Sequence, residues 1–296
     1  MSGRYSKFML GTVQLGVSYG MANRTGKPSE ESAFEILDAA LAHGVTAFDT
    51  AVHYGSSEEV VGSWARARGV RPVIVSKFKL RSDDPLPELE AEIHHTQTHL
   101  PVISGYMYHD ADQMRRWHTT VFDRLQKMKA DNRMDFIGSS VYTAKDVEDF
   151  LRLDGLGAIQ IPMSVLDTRI IRSGLLRELK KKGARVFVRS VFLQGMLCMP
   201  EPPEKFGFMK PYIDRLCEVA ASEGLPLEQL AVSFIRDLPE IDSLVIGCET
   251  PEQVLSNAEL IGGKALSAAA VSEILEIGKT VTMERCMDVI TGKRKE

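Results

Sequence analysis

Four side chains in this sequence are of the types that move protons around an oxygen atom: Asp49, Tyr54, Lys77 and His109. Each stands at or just past the end of a short apolar run. Asp49 lies near the end of the run 45–50, and Tyr54 follows five residues later. Lys77 closes 73–77, and His109 closes 103–109. A free phenol has a pKa of about 10 and is a poor acid at neutrality. A neighbouring ammonium stabilises the phenolate and lowers that value. Lys77 can supply the ammonium, and Asp49 can hold Lys77 in place and protonated. His109 can hydrogen-bond a substrate oxygen and orient it. Together the four would make a proton donor beside an oxyanion site. That suits reduction of a carbonyl, in which hydride reaches carbon while Tyr54 protonates oxygen. No side chain can give a hydride, so a redox cofactor must bring it.

For these residues to meet, the elements carrying them must share an end. Eight runs read as strands: 8–14, 45–50, 73–77, 103–109, 136–141, 158–163, 185–192 and 244–247. Between them apolar residues recur at helical spacing. Ala33, Ile36, Leu37, Ala40 and Leu41 form one such stripe, and Pro28-Ser29-Glu30-Glu31 before it reads as a helix start. Gly44, Gly69 and Gly183 stand just before strands, where glycine tolerates the left-handed helix end. Several strands are apolar throughout, as expected when both faces are buried in a parallel sheet. Eight strand–helix units predict a single α/β domain over residues 1–296: a (β/α)8 TIM barrel with a C-terminal helical tail. An open doubly wound sheet fits less well, because no GxGxxG follows the first run. In a barrel, the ends of the second, third and fourth strands face one mouth, where barrel active sites sit. The segment 194–209, with Pro200, Pro202 and Pro203, exceeds the strand–helix rhythm and reads as a binding loop.

Composition narrows the class further. Lys plus Arg number 36 and Asp plus Glu 40, a net charge of -4, which argues against a nucleic-acid partner. Cys198, Cys217, Cys248 and Cys286 are far apart with no CxxC pair, so no disulfide framework or zinc site is expected. The first six residues are polar with no secretory segment after them. No apolar run approaches the roughly 18 residues that span a bilayer. The expectation is a cytoplasmic protein with no membrane partner. His95 and His99 are four apart on a helical stretch, a spacing that could suit a metal. On the outside of a barrel they read as a solvated face, and no metal site is expected.

The pattern Phe48-Asp49-Thr50-Ala51, Tyr54-Gly55-Ser56 and Glu59, then Ser76-Lys77, then His109, resembles the aldo-keto reductase superfamily. Leu10-Gly11-Thr12, Ile137-Gly138-Ser139-Ser140 and Ser190 through Leu197 are similar to further segments of that family, as is the stretch from Val245-Ile246-Gly247 to Asn257. The resemblance implies a (β/α)8 oxidoreductase for a small-molecule carbonyl or sugar substrate. It implies Tyr54 as acid/base, Asp49 and Lys77 as its tuners and His109 as substrate orienter. It implies a nicotinamide cofactor held by Thr12, Ser140, Gln160, Arg189, Ser190, Leu193, Gly195, Gly247, Gln253 and Asn257, with NADP(H) favoured and NAD(H) left open. The sequence departs from the family at several points. Val141 stands in place of a carboxamide-binding asparagine, and Arg189 in place of an aromatic ring stacked on the nicotinamide. Gly247 and Gln253 fall where NADPH-selective members carry Lys and Arg, with Glu249 and Glu252 beside them. Two other readings stay open here. One is a cofactor-binding regulatory subunit of the same fold, the other a barrel lyase or isomerase with a Schiff base on Lys77. The sequence does not say how many copies assemble.

Overall fold

Period two along the strands sorts the apolar residues into two cores. The computed structural model describes residues 5–23, 25–100 and 102–291. Its strands are β1 (Phe8–Gly11), β2 (Ala47–Asp49), β3 (Val73–Phe78), β4 (Gly105–Tyr108), β5 (Phe136–Ser140), β6 (Leu156–Pro162), β7 (Arg185–Arg189) and β8 (Ser243–Gly247). All pairings are parallel and in sequence order, and β8 returns to β1, so the sheet closes. This is the expected (β/α)8 barrel.

Met9, Ala47, Val75, Met107, Phe136, Ala158, Phe187 and Val245 pack together inside the barrel. Residues of the opposite parity, such as Leu10, Phe48, Ile74, Tyr106 and Ile159, pack outward against the helices. Trp64 meets Phe48 edge-on at 5.5 Å in that outer layer. One further step of two carries the inward parity to the C-terminal mouth. There it reaches Gly11, Asp49, Lys77, His109, Gln160, Arg189 and Gly247, and, by a second step through Gly138, Ser140. The apolar interior and the polar mouth are therefore successive layers of one alternation.

The helices follow their start and stop residues. Ser29 accepts from Ser32 N and caps the helix Glu30–Ala42. Asp110 caps Ala111–Ala130 through Gln113 N at 3.0 Å. Gly44, Gly69 and Gly183 have φ of 76°, 64° and 76°, as the helix ends require. The helical tail is present as Ala268–Thr280 and Met283–Thr291. The first strand is shorter than its apolar run suggested. It stops at Gly11, and Val13–Gly16 turns into a short helix. Thr12 N still donates to Asp49 O at 2.9 Å, continuing the β1–β2 ladder by one rung before the chain turns away. Among the described residues no helix is long and apolar enough to cross a membrane.

Candidate active site

Asp49 ends β2, and the chain then runs on beside β3. Thr50 N donates to Val75 O at 2.9 Å and Val52 N to Lys77 O at 3.0 Å. This extended pairing carries Tyr54 over Lys77. The turn is closed by two glycines. A Cβ on Gly16 would lie 1.6 Å from Tyr54 O, and one on Gly55 (φ 59°) would lie 2.5 Å from Gly16 O. Only two glycines allow the backbones to approach this closely. Beneath them the hydroxyls of Thr12, Thr50 and Ser57 are buried and mutually bonded at 2.6 and 2.9 Å.

Asp49, Tyr54, Lys77 and His109 come together. Lys77 Nζ donates to Asp49 Oδ1 at 2.7 Å, Asp49 Oδ2 at 2.8 Å, Thr50 O at 2.9 Å and Tyr54 Oη at 3.4 Å. Its side chain is 1% exposed. Burial penalises the Lys77 ammonium, but Asp49 and Tyr54 outweigh that and hold its pKa above the ordinary lysine value. For the Tyr54 phenol, burial pushes the pKa up, and the Lys77 charge pulls against it without prevailing. The expectation of a lowered phenol pKa is thereby corrected: desolvation exceeds the ammonium's effect, and the phenol rests protonated. The His109 ring meets that of Tyr54 edge-on at 5.6 Å. Burial first, then the charges of Lys77 and Lys79, push His109 down to about 3, so its imidazole is neutral. Its Nδ1 is buried and makes no hydrogen bond among the described residues.

These residues border a cavity of about 600 Å³, within the range of small-molecule sites. Asp49, Tyr54 and His109 line it, whereas Lys77 lies buried behind Asp49. Of the ten residues expected to hold a cofactor, Thr12, Ser140, Gln160, Arg189, Ser190, Gly195, Gly247, Gln253 and Asn257 line the same cavity. Leu193 does not. Its side chain is buried in the outer core, and the residue contributes backbone shape instead, with φ of 49°. Ser190 and Gln194 are also left-handed, at 62° and 57°, so this loop holds three non-glycine residues in a sparsely populated conformation. Gln160 Nε2 donates to Asp49 Oδ1 at 2.7 Å, which ties it to the Asp49–Lys77–Tyr54 cluster. Gln253 Oε1 accepts from Glu249 N at 2.8 Å, and Asn257 Nδ2 donates to Cys248 Sγ at 3.3 Å.

Gln14, Tyr19 and Tyr142 line the cavity without a signal in the sequence. Gln14 reads there as part of a strand, but the short helix turns it over Gly247, where a Cβ would lie 2.1 Å from Gln14 Nε2. Gln14 Oε1 is buried and makes no hydrogen bond among the described residues. Tyr19, Tyr142 and Gln194 form the rim, and Gln194 Nε2 donates to Tyr19 Oη at 3.2 Å. His53, one residue before Tyr54, does not border the cavity; it faces Glu92 at 3.4 Å. His95 is not simply solvated either, since its Nε2 lies 3.6 Å from the buried Glu58 carboxylate.

A closed eight-stranded barrel with Asp, Tyr, Lys and His gathered at its C-terminal mouth defines a class, and sequence comparison agrees. The chain matches the profile of the Aldo/keto reductase family over residues 7–279. It therefore belongs to that family, which is one of oxidoreductases. Aldo-keto reductase str7 of Strobilurus tenacellus is 27% identical over 199 residues, covering 64% of this chain and 57% of that protein. The D-threo-aldose 1-dehydrogenase of a Pseudomonas species is 23% identical, covering 78% of this chain and 83% of that protein. The holo form of aldo-keto reductase AKR11C1 from Bacillus halodurans has the same fold. Its TM-score is 0.78, with 19% identity over 95% of both chains.

Proposed function

We propose that the protein interconverts an aldehyde, ketone or sugar carbonyl and its alcohol with a nicotinamide cofactor, Tyr54 acting as general acid and base. The observation that carries this reading is the chain of contacts from Asp49 through Lys77 Nζ to Tyr54 Oη, at 2.7 and 3.4 Å. In the reducing direction the protonated Tyr54 gives its proton to the carbonyl oxygen. The phenolate left behind is held by the Lys77 ammonium, which Asp49 and the Thr50 carbonyl keep in place. Neutral His109 lies against Tyr54 and orients the oxygen. Such acid catalysis contributes roughly 10²–10⁴-fold. The relative known as a D-threo-aldose 1-dehydrogenase supports the inclusion of sugars among the substrates.

The lining residues fit the cofactor. The cavity extends from Tyr54 to the capped start of the helix Pro251–Gly262, and the buried Gln14 carbonyl within it awaits a donor. When bound, the nicotinamide supplies the hydride. Gly247 and Gln253 place no cation at the far end, and the Glu249 carboxylate lines it. That favours NAD(H), in contrast to the NADP(H) preference suggested by family resemblance. Titration with NADH and NADPH, followed by a carbonyl screen with the tighter one, tests both points. Tyr54→Phe is expected to lose at least about 100-fold in kcat while cofactor affinity stays within a few-fold. Undiminished turnover in that variant would end the assignment.

A further inference from the structure

Among the described residues lining the cavity, one cation is present, Arg189, set against the carboxylates of Asp49, Glu228 and Glu249. Asp49 is already neutralised by Lys77. Arg189 makes no ion pair with a carboxylate among the described residues, although most arginines of the chain that are half-buried in this way do. Arg169, for comparison, is clamped by Asp167 at 2.8 Å through both nitrogens. Arg189 is held by weaker contacts. Nη2 donates to Val141 O at 3.2 Å, Nη1 to Ser190 Oγ at 3.5 Å, and the guanidinium lies 4.3 Å from the centre of the Tyr142 ring.

The direction of these contacts matters. Arg189 ends β7, but its guanidinium leans back across β6 to Val141 and Tyr142, which follow β5. It therefore points toward the His109 and Tyr54 side of the mouth, away from β8 and Gly247. Its field is felt there: it is among the charges that lower the pKa values of Tyr54 and His109. Arg189, Tyr19 and Tyr142 also border an annex of about 80 Å³ with Pro162 and Met163. Beside the reacting position there is thus a guanidinium with free donors, flanked by two half-exposed rings.

Resting on the carbonyl-reductase reading above, we propose that the substrate carries a carboxylate. Arg189 binds that carboxylate while Tyr19 and Tyr142 cover the body of the molecule. A carboxylate suits the site better than a dianionic phosphate, since a single guanidinium offers two parallel donors and no second cation lines the cavity among the described residues. The pairing is charge-assisted and partly desolvated, so it should show as roughly 10- to 100-fold in affinity.

The test uses 4-carboxybenzaldehyde and its methyl ester, which share a shape and differ in charge. With the preferred nicotinamide cofactor, the wild-type protein is expected to favour the acid at least about 10-fold in kcat/KM, mainly through KM. Arg189→Gln is expected to collapse that ratio, and Arg189→Lys to restore part of it. Calorimetry supplies a second readout without turnover: 4-(hydroxymethyl)benzoate should bind the wild type and not Arg189→Gln, and its methyl ester should bind neither tightly. Equal handling of acid and ester by the wild type overturns the proposal. So does a variant that weakens cofactor binding and lowers both substrates alike, since Arg189 would then serve the cofactor. Arg189-dependent binding of the benzoate without turnover of any carbonyl would uphold the anion site and sink the reductase reading instead.

Discussion

Lys77 is fully buried yet charged, and that combination is costly unless every proton finds a partner. Two carboxylate oxygens, the Thr50 carbonyl and the Tyr54 phenol supply them. The residue thus holds a positive charge where the proposed reaction would form a phenolate. His109 has the opposite design. It is buried without a counter-ion among the described residues, which keeps it neutral down to about 3. The phenol, by contrast, is held above its ordinary value and loses its proton only in alkaline solution. In the carbonyl-reducing direction, kcat/KM is therefore expected to stay level from about pH 5 to about pH 8 and to fall only on the alkaline side. A steady-state profile checks this. An acid-side inflection near pH 6.5 that disappears in His109→Gln would show that the imidazole titrates after all.

At the scale of elements, the site rests on a buried joint behind β3. Glu58, on the helix Ser57–Arg68, accepts from Ser76 Oγ of β3 at 2.5 Å and from Thr96 Oγ1 of the helix Pro85–His99 at 3.1 Å. Ser76 is the neighbour of Lys77, so this carboxyl locks the strand that carries the ammonium. Burial raises the Glu58 pKa to about 7 despite those two hydroxyls. A raised folded pKa means the fold binds a proton that the unfolded chain releases near 4.5. The contribution is complete below that pH and is lost as pH rises through about 7. Glu58→Gln removes the titration and keeps the shape. Relative to wild type, the variant is expected to gain about 1–3 kcal/mol between pH 4.5 and 8, read by urea denaturation at each pH. His109, depressed in the fold, tilts stability the other way as pH falls below 6.5, and it cancels in the difference between the two proteins. A difference that does not move with pH would mean Glu58 is ionised throughout.

At the scale of the whole molecule, one end of the barrel is filled and the other is hollow. Phe136 plugs the N-terminal end: its ring occupies the space where a Cβ on Gly105 would lie, 2.1 Å away. Phe187 stands 6.1 Å from it and Tyr5 6.4 Å. Nothing in this plug touches the cavity at the mouth. Phe136→Ala should therefore cost about 3–5 kcal/mol of stability with little effect on substrate KM, because it opens a void at the end remote from the chemistry. Chemical denaturation alongside carbonyl kinetics separates the two. A large KM change with unchanged stability would mean the barrel ends are coupled.

Much of this was legible in the chain itself. Strands buried on both faces must read as apolar runs, so a polar residue at the end of such a run stands out, as Asp49, Lys77 and His109 do. Glycines that end helices marked the rhythm, which counted the barrel correctly. What local pattern could not carry was whatever depends on the ring closing. Gln160 reaches Asp49 across 111 residues of chain. Gln14 lies over Gly247 because β8 returns to β1. Arg189 leans toward β5, not β8, and Leu193 turns into the core. Hydrophobic alternation specifies which side of a strand faces inward. Only the closed geometry decides which inward-facing side chains meet, and how far burial outweighs charge once they do.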